Sequence, residues 1–432
     1  MRLLSQIFQP VIVIPKGAKI KNTEITCKSQ KLLLECGLVR PASAGLFTLL
    51  PLARRALTKL ENIITNCLDR VGAQRINLPC LTTAKLWKMS GRLEDIGPEL
   101  INVEDRHGKK YILAPTHEEA IADLLVDASP ISYKQLPFTL YQIGNKYRDE
   151  HRPKHGLLRA REFNMLDAYS FHSSNECATK TYDVMTQAYK DIFRVLDLPV
   201  ARVEAPSGDM GGSLSHEWQL PAAAGEDCLS LCPSCSHESL DEEVCIKCGS
   251  KVNRVNSIEV GHTFVLGTRY SEPLKANFVG PKSTQPIHMG CYGIGITRLL
   301  AGTIEALSTE TSIRWPKAIA PYTAIIIGPK EGSKEWSSHD FSKTLALAEM
   351  LEQNGLNNDV LIDDRHNLTI GKRLMMADRM GYSYTIVCGA SATGTPPRYE
   401  VHGGGAPRLL TEGELLALVK GDAGHASVQY RG

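Results

Sequence analysis

The first clear hydrophobic pattern lies within the first 81 residues, where apolar side chains recur at helical spacing between Leu52 and Val71. Pro51 precedes this pattern at a position where a helix tolerates proline, so a helix is predicted over about 52–71. A short β-strand is predicted over Gln74–Asn77 and ends before Pro79. By itself this pattern indicates only a packed surface helix beside an edge strand.

The rest of the chain divides into three further regions. Residues 82–172 are rich in strand-forming residues, and 173–320 begin with a helix over about 175–196. From about 321 strands and helices alternate, which predicts a separate small α/β domain after a linker flanked by Pro316 and Pro321. We predict there the strands Thr323–Ile327, Asp359–Ile362, Tyr384–Val387 and Arg398–Val401, and the helices Glu335–Gln353, Lys372–Met380 and Glu412–Leu418.

Composition limits the class of protein. Of the 432 residues, 43% are hydrophobic and 22% charged, which is typical of a soluble chain with two to four domains. Lys and Arg total 49 and Asp and Glu total 47, so any polyanion must be met by a local basic patch. No apolar run approaches the roughly 18 residues of a bilayer-spanning helix, so we expect no membrane association.

The N-terminus is basic: Arg2, Lys16, Lys19 and Lys21 occur there, and no acidic residue precedes Glu24. Two interpretations stay open for residues 1–24, a short transit segment or a plain surface lead-in. Transit peptides are usually richer in arginine and serine than this segment.

A polar hairpin is predicted between strand-like runs at 138–150 and 159–171. Because side chains alternate faces along a strand, Arg148 and Glu150 share one face, and the return strand places on one face Arg159, Arg161, Phe163 and Asp167. Residues 146–161 contain six Lys or Arg against two acids. Arginine suits phosphate or carboxylate, a ring can stack on a base, and a glutamate can accept from an exocyclic amine. The alternative is an exposed charged hairpin, which would have no need of Phe163.

A glycine-rich segment, Gly290-Cys-Tyr-Gly-Ile-Gly-Ile-Thr-Arg298, is predicted as a strand-to-helix turn whose helix continues to Leu307. Glycines at such a turn permit close approach of a ligand to the backbone, and Arg298 enters the helix. The segment matches neither a Walker loop nor a Rossmann fingerprint. Tight strand–helix packing explains it equally well.

A third segment, Pro115-Thr-His-Glu-Glu119, follows an apolar strand at Tyr111–Ala114. Thr116 and Glu119 have the spacing of a capping box for a helix that runs to Val126. Glu118 is not needed for that box, and with the Thr116 hydroxyl it can hold a small cationic amine or imine.

Two CxxC pairs separated by nine residues resemble zinc knuckles; they consist of Cys232, Cys235, Cys245 and Cys248. We therefore predict a structural zinc site. The spacer is shorter than the usual 15–20 residues, so a degenerate module with free thiols stays the alternative. A redox role is less favoured, because nothing nearby resembles a thioredoxin unit.

Together these segments resemble the class II aminoacyl-tRNA synthetases. Residues 52–79 are similar to motif 1, the dimer-interface element; 138–171, with Arg148-Asp-Glu150 and Phe163, to motif 2; and 290–307 to motif 3. Within that class the collinear match over about 25–402 resembles prolyl-tRNA synthetase, in the bacterial-type form of animal mitochondria. The strings that carry it are Pro115-Thr-His-Glu-Glu, Ser132-Tyr-Lys-Gln-Leu-Pro137, Gly211-Gly-Ser-Leu-Ser-His-Glu217, Glu259-Val-Gly-His262, Gly290-Cys-Tyr-Gly-Ile-Gly, Thr26-Cys-Lys-Ser-Gln30, Arg314-Trp-Pro316, Leu361-Ile-Asp-Asp-Arg365 and the cysteine module at 228–252.

The resemblance implies a role for each matching residue. Arg148 would hold the α-phosphate beside the proline carboxylate, and Arg159 and Arg298 would grip the outer phosphates of a bent ATP. Glu150 would receive the adenine amino group and Phe163 would stack on the ring. The proline imino group would be bound by Thr116 and Glu118 in a pocket lined by His216. Mg²⁺ should bridge the phosphates, with ligands that the sequence does not assign.

The same resemblance implies an α+β architecture. An antiparallel-sheet catalytic core over 25–320 would be joined to a C-terminal α/β anticodon-binding domain over 321–420, followed by a tail at 421–432. The partners would be tRNA(Pro), L-proline, ATP and a second copy in a homodimer. The location would be the mitochondrial matrix, with the cytoplasm as the alternative. The interval 168–289, 122 residues, is too short for the editing domain that many bacterial prolyl-tRNA synthetases insert between motifs 2 and 3.

The C-terminal region is slightly acidic, with 11 Lys or Arg against 13 acids over 321–432. We therefore expect it to read unstacked anticodon bases by hydrogen bonds rather than to bind phosphates at large. Arg365 and Lys372, near a strand end and a helix start, are the candidate residues.

Two other functions compete with this interpretation. A synthetase for threonine or serine is disfavoured, because the Thr116 and Glu118 pair suits an imino group better than a side-chain hydroxyl. A catalytically silent relative that only binds tRNA or a protein should have lost phosphate ligands, yet the residues expected to contact ATP are all present: Arg148, Glu150, Arg159, Phe163 and Arg298.

Overall fold

The computed structural model describes residues 2–10 and 24–428. Most of the candidate transit segment and the end of the tail therefore lie outside the described residues. The helices, in chain order, are α1 Lys28–Glu35, α2 Pro51–Arg70, α3 Ala84–Ser90, α4 Arg92–Asp95, α5 Glu118–Asp127, α6 Asn175–Val195, α7 Ser271–Leu274, α8 Ile296–Leu307, α9 Phe341–Gln353, α10 Ile370–Met380 and α11 Glu412–Val428.

The strands follow the same numbering by chain order. They are β1 Arg2–Leu3, β2 Val39–Ser43, β3 Leu46–Leu49, β4 Gln74–Arg75, β5 Leu81–Thr83, β6 Ile101–Glu104, β7 Lys110–Leu113, β8 Ile131–Ser132, β9 Phe138–Tyr147, β10 Glu162–His172, β11 Ala201–Glu204, β12 Leu214–Pro221, β13 Asp227–Leu231, β14 Glu238–Leu240, β15 Asn253–Gly267, β16 Asn277–Val279, β17 Thr284–Pro286, β18 His288–Gly295, β19 Ala324–Ile327, β20 Val360–Asp363, β21 Tyr384–Val387, β22 Tyr399–His402 and β23 Arg408–Leu410.

The central sheet has the order β11-β12-β15-β18-β10-β9-β4 and is antiparallel except where β4 pairs with β9. Helices α2, α6 and α8 pack together and against this sheet, and their apolar faces form the main core with the inward side chains of the strands. The other side of β10, β15 and β18 remains open to a cavity. This face is partly covered as well, because Phe171, Phe264 and Met289 pack there in a second apolar cluster beside the cavity.

The helical period at 52–71 is realised as α2, which begins at Pro51 and buries the apolar positions Leu52, Ala56, Leu57, Leu60, Ile63, Ile64, Cys67 and Leu68. The strand predicted after it is shorter than expected and covers Gln74–Arg75. Helix α6 matches its predicted bounds to within one residue.

The hairpin is shorter than predicted. Strand β9 ends at Tyr147 and β10 begins at Glu162, so Arg148, Glu150, Arg159 and Arg161 lie in the connection and not on strands. One further backbone bond, from Arg148 N to Arg161 O at 2.9 Å, continues the ladder before the strands separate. Beyond that bond an isolated antiparallel bridge joins Lys154 and Arg159, while Pro153 and the left-handed backbone of His155 interrupt the regular ladder.

The glycine-rich segment differs from its predicted form, since Gly290 and Gly293 lie inside β18 and only Gly295 stands at the strand–helix junction. A Cβ at Gly290 would come within 2.6 Å of Ser170 Oγ and of Tyr292 Oη. This glycine therefore permits close packing inside the sheet, which differs from the strand–helix packing that the sequence left open.

The predicted capping box at the start of α5 is wrong. His117 occupies the N-cap position without a side-chain capping bond, and the helix begins at Glu118. The Glu119 carboxylate instead accepts hydrogen bonds from Ser90 Oγ at 2.7 Å and from Arg92. Both acids of this segment are 1% exposed, so tertiary partners take precedence over local capping.

The C-terminal alternation forms a sheet of order β1-β20-β19-β21-β22-β23. Helix α9 starts at Phe341, six residues later than predicted, because Asp340 caps it by accepting from Ser342 N at 3.0 Å. The edge strand β1 comes from the N-terminus and pairs in parallel with β20, which the sequence did not indicate. Strand β23 was also missed.

The two regions share one apolar core, in which Ile325, Ile327 and Leu361 pack with residues of α1 and α2. Beside it Lys59 Nζ lies 2.8 Å from Asp359 Oδ1, and Arg55 Nη2 lies 3.0 Å from the same oxygen. The C-terminal region is therefore fixed against α2 by both apolar packing and charge.

Between β10 and β18 the chain forms α6, α7 and strands β11–β17. Strands β11, β12, β13, β14 and β15 belong to the central sheet, so this interval supplies part of the core and contains no inserted editing domain. Among the described helices, none is both long and apolar enough to cross a lipid bilayer.

Candidate active site

A cavity of about 180 Å³ opens on the face of the central sheet opposite α2, α6 and α8. Six of the residues predicted from sequence line it: Thr116, Glu118, Arg148, Glu150, Phe163 and Arg298. An adjoining cavity shares Arg148, Glu150 and Arg298 with the first and also contains Arg159. The tertiary structure thus brings residues from α5, the hairpin connection and α8 to one continuous site.

One end of the cavity is anionic and is built around Glu118. Its Oε1 accepts from the Cys291 thiol at 3.2 Å, and its Oε2 accepts from Arg92 Nη1 at 3.2 Å. Burial alone would raise the pKa of Glu118, but the Arg92 guanidinium and hydrogen bonds from Thr116 and Cys291 bring it below its usual value. Glu118 is therefore an ionised carboxylate suited to a small cationic group.

The other end is cationic. The Arg148 guanidinium carbon lies 5.4 Å from the centre of the Phe163 ring. Arg298 donates from Nε to Leu158 O at 2.9 Å and from Nη1 to Glu259 O at 3.1 Å, which fixes its position at the start of α8. Two guanidinium groups and an aromatic face are what a nucleotide requires.

Arg159 is held by acids in this structure. Its Nε lies 2.9 Å from Glu150 Oε2, and its Nη1 lies 3.0 Å from Glu226 Oε2. Lys154 Nζ reaches the same Glu226 carboxylate at 2.7 Å. Glu226 thus forms ion pairs with Lys154 and Arg159, the cationic groups that the outer phosphates of ATP would need.

His216 is not placed where the resemblance implies. It does not line the cavity: its Nδ1 lies 2.8 Å from Tyr182 Oη of α6, and its Nε2 accepts from Arg202 at 3.0 Å. The neighbouring Ser215 bonds His262 at the cavity instead. Successive residues of β12 point to opposite faces, and His216 faces the helix.

The prediction that Arg161 shares one strand face with Phe163 and Asp167 is wrong. Arg161 pairs with Asp149 and lies outside the cavity, whereas Asp167 lines it. The parity argument fails at Arg161 because this residue precedes the first strand residue, Glu162, where the alternation begins.

Several functional side chains were missed by the sequence interpretation. Arg92 contacts both Thr116 and Glu118; Lys146 and His117 lie behind Asp167; and Glu259, His262 and Cys291 line the cavity. Glu259-Val-Gly-His262 was recognised as a string, yet nothing local assigned it a role. This segment is brought to the cavity only by the pairing of β15 with β18 and by the contact between Glu259 and Arg298.

Two groups of side chains within the described residues have metal-ligating potential. The first is Cys232, Cys235, Cys245 and Cys248, whose Sγ atoms all lie within 4.8 Å of one another. The second is Glu217, Glu259 and His262, with ligand atoms within the same limit. The four thiols match a tetrahedral zinc site, where Zn–S bonds of about 2.3 Å place sulfurs roughly 3.8 Å apart.

The anticodon candidates lie in the C-terminal region, Arg365 just after the end of β20 and Lys372 on α10. Arg365 is engaged by Asp363, whose carboxylate lies 2.6 Å from its Nη2, and it is partly buried. Lys372 is exposed near the start of α10.

The antiparallel sheet and the cavity on its face belong to the core of a class II tRNA synthetase, as the comparison with known families shows. The family described as "tRNA synthetase class II core domain (G, H, P, S and T)" matches residues 101–307. The fold is also that of the prolyl-tRNA synthetase of Giardia lamblia in complex with prolyl-adenylate, with a TM-score of 0.78, 18% identity and coverage of 93% of this chain and 79% of that one. The enzyme of Cryptosporidium parvum complexed with halofuginone and AMPPNP gives a TM-score of 0.77 at 16% identity, covering 96% and 80%.

The sequence relatives make the assignment specific. The human "Probable proline--tRNA ligase, mitochondrial" is 45% identical over 431 residues, which cover 96% of this chain and 90% of the relative. The proline--tRNA ligase of Ehrlichia canis is 36% identical over 393 residues, covering 86% and 90%. The chain belongs to the proline--tRNA ligase family. The resemblance and the fold class expected from sequence are thereby confirmed.

Proposed function

We propose that this protein ligates L-proline to tRNA(Pro) with ATP, through a prolyl-adenylate intermediate. The observation that carries this is the convergence of an ionised Glu118 with Thr116 at one end of a single cavity and Arg148, Phe163 and Arg298 at the other. A cationic imino group and an adjacent nucleotide are accommodated at the two ends. The family assignment fixes the substrate as proline.

In the first step a proline carboxylate oxygen attacks the α-phosphorus of ATP and pyrophosphate leaves. In the second the terminal hydroxyl of tRNA attacks the prolyl carbonyl and AMP leaves. Neither step needs a covalent nucleophile on the protein, so catalysis rests on alignment and charge neutralisation. Arg148 neutralises the α-phosphate and the approaching carboxylate, both of which are anionic.

The remaining ATP roles are those that the family resemblance implies. Glu150 accepts the adenine amino group, Phe163 stacks on the base, and Arg159 with Arg298 receives the outer phosphates. Because Arg159 is paired with Glu150 and Glu226 here, ATP must displace at least the Glu226 contact. Glu217 and Glu259 are the carboxylates that would hold magnesium, which would supply positive charge to offset that of the phosphates.

Proline-dependent exchange of pyrophosphate into ATP tests the function directly. Purified protein should catalyse exchange with proline far faster than with threonine, serine or alanine. Exchange that prefers threonine or serine would identify a different synthetase. No exchange with any amino acid, from a folded protein that still binds tRNA, would identify a silent relative.

The four cysteines support a structural zinc site. Cys232 and Cys245 are buried while Cys235 and Cys248 are exposed, as in two knuckles that enclose an ion. Elemental analysis should find about one zinc per chain, and Cys245→Ser should remove it. Cys228→Ser is the matched control, since this thiol lies in the same module and bonds Arg254. A metal-free chain with four titratable thiols would favour the degenerate module.

Dimerisation, anticodon binding and mitochondrial location complete the proposal. Helix α2 is the candidate dimer element by its likeness to motif 1. The relatives from human, rat and mouse are mitochondrial forms, which supports a mitochondrial location. Size-exclusion chromatography with light scattering tests the dimer: a monomeric mass at micromolar concentration would contradict it.

A further inference from the structure

Arg92 lies directly behind both residues that are proposed to bind the proline imino group. Its Nη1 lies 3.2 Å from Thr116 Oγ1 and 3.2 Å from Glu118 Oε2, and its Nη2 lies 3.2 Å from the same threonine oxygen. The side chain is only 2% exposed. We infer that Arg92 is a positioning residue for proline: it fixes Thr116 and Glu118 in the arrangement that receives the imino group. This inference rests on the proposed function.

The guanidinium is itself held in one orientation. Its carbon lies 4.9 Å from the Trp87 ring centre and 5.7 Å from that of Tyr270. The Trp87 indole is fixed in turn by donating to Thr82 Oγ1 at 2.8 Å. A planar group stacked in this way presents its N–H donors in a fixed fork, which an ammonium group does not do.

The sequence between α3 and α4 brings Arg92 to this place. Gly91 adopts the left-handed conformation, with φ 83°, and so reverses the chain immediately before the arginine. Ser90, on the other side of that glycine, donates to Glu119. The Ser90-Gly91-Arg92 turn therefore contacts the Thr116–Glu119 segment at two points.

Arg92 is shared by two buried acids. Glu118 and Glu119 both contact this one guanidinium. Burial and the neighbouring Glu118 charge keep the pKa of Glu119 above its usual value, whereas that of Glu118 is lowered. A carboxylate accepts at about four sites, so Glu118 retains capacity for a cationic donor after binding Arg92 and Cys291.

Removing Arg92 should therefore weaken proline binding selectively. Without the Arg92 guanidinium, Thr116 and Glu118 lose a hydrogen-bond donor that they share. The adjacent carboxyl groups of Glu118 and Glu119 also lose their common counter-charge. ATP contacts, which are made at the opposite end of the cavity, should be unaffected.

The test is steady-state pyrophosphate exchange on the full-length chain with Arg92→Met, Arg92→Lys and the control Arg269→Met. Arg269 lies 5.9 Å from the same Tyr270 ring and donates to Ser90 O, but contacts neither Thr116 nor Glu118. We expect Arg92→Met to raise the KM for proline about tenfold or more while the KM for ATP changes less than about twofold. Arg92→Lys should restore part of the loss and Arg269→Met should resemble wild type.

A general loss of folded enzyme would lower kcat without separating the two KM values. Should Arg92→Met fail to fold, the double variant Arg92→Met/Glu119→Gln removes one of the two acids that Arg92 contacts, keeps Glu118, and must still show the raised KM for proline. A wild-type KM for proline in either folded variant would overturn the inference. Failure of the wild-type chain to use proline at all would instead overturn the proposed function.

Discussion

Lys146 Nζ lies 2.6 Å from Asp167 Oδ1, and both side chains are buried beneath the cavity. The same ammonium lies 2.6 Å from His117 Nδ1, while His117 Nε2 lies 3.1 Å from Pro79 O. Asp167 accepts further bonds from Gln142 and Tyr169, and Tyr169 Oη in turn accepts from His117 N–H. The network therefore anchors the residue between Thr116 and Glu118.

Lys146→Met should destabilise the protein by about 3–5 kcal/mol, because it leaves Asp167 buried without its cation. Lys146→Met/Asp167→Asn should recover much of this loss. The exposed Lys85→Met serves as control. Urea denaturation followed by tryptophan fluorescence measures the free energy of unfolding of each variant. A value for Lys146→Met within about 1 kcal/mol of wild type would contradict the importance of the Lys146–Asp167 pair.

Protein stability should fall as the pH is lowered from 7 to 5, partly through His172. Burial, with the nearby His288, lowers the pKa of His172 to about 4, and its ring bonds Ser170 and Cys177. In the unfolded chain this histidine binds a proton near pH 6.5, but in the folded chain it does so only near pH 4. The free energy of unfolding therefore falls as the pH is lowered from 6.5 to 4, by up to about 1.4 kcal/mol per pH unit.

His172→Gln should flatten that pH dependence, whereas His107→Gln, at an exposed position, should leave it unchanged. Denaturation curves at pH 7, 6 and 5 provide the comparison. Equal slopes for wild type and His172→Gln would show that other groups account for the acid sensitivity.

Glu226→Gln should lower the KM for ATP by about two- to fivefold, because it releases Lys154 and the Nη1 end of Arg159 for phosphate. The effect is modest since Glu226 is partly exposed and its ion pairs are screened by solvent. Glu243→Gln, an exposed acid in the cysteine module, is the control. An increased KM for ATP would mean that Glu226 orders these cations productively.

Lys372→Ala should raise the KM for tRNA(Pro) without altering proline-dependent pyrophosphate exchange. Removal of the whole C-terminal region is the poorer experiment, since Ile325, Ile327 and Leu361 share a core with α2. The exposed Lys343→Ala, on α9, controls for charge. Normal charging kinetics for Lys372→Ala would remove this residue from the anticodon surface.

The sequence by itself determined the elements whose pattern is local. The apolar period of α2 follows from burial of one helix face. After 321 the strands β19, β20 and β21 are short apolar runs because they are buried on both faces, and the β9–β10 hairpin is a pair of strand-forming runs around a polar connection. Six of the eight residues predicted to contact ATP or proline also line one cavity, because their types suit the chemistry and their strings match a family.

Only the tertiary structure decided which polar residue faces which partner. Alternation along β12 is satisfied whether His216 or Ser215 faces the cavity, and it is α6 that covers the His216 side. Likewise nothing near Arg92 or Lys146 shows that each lies buried against acids distant in sequence. A buried charge is tolerated only where the completed fold supplies its counter-charge, and that pairing is not a property of any local segment.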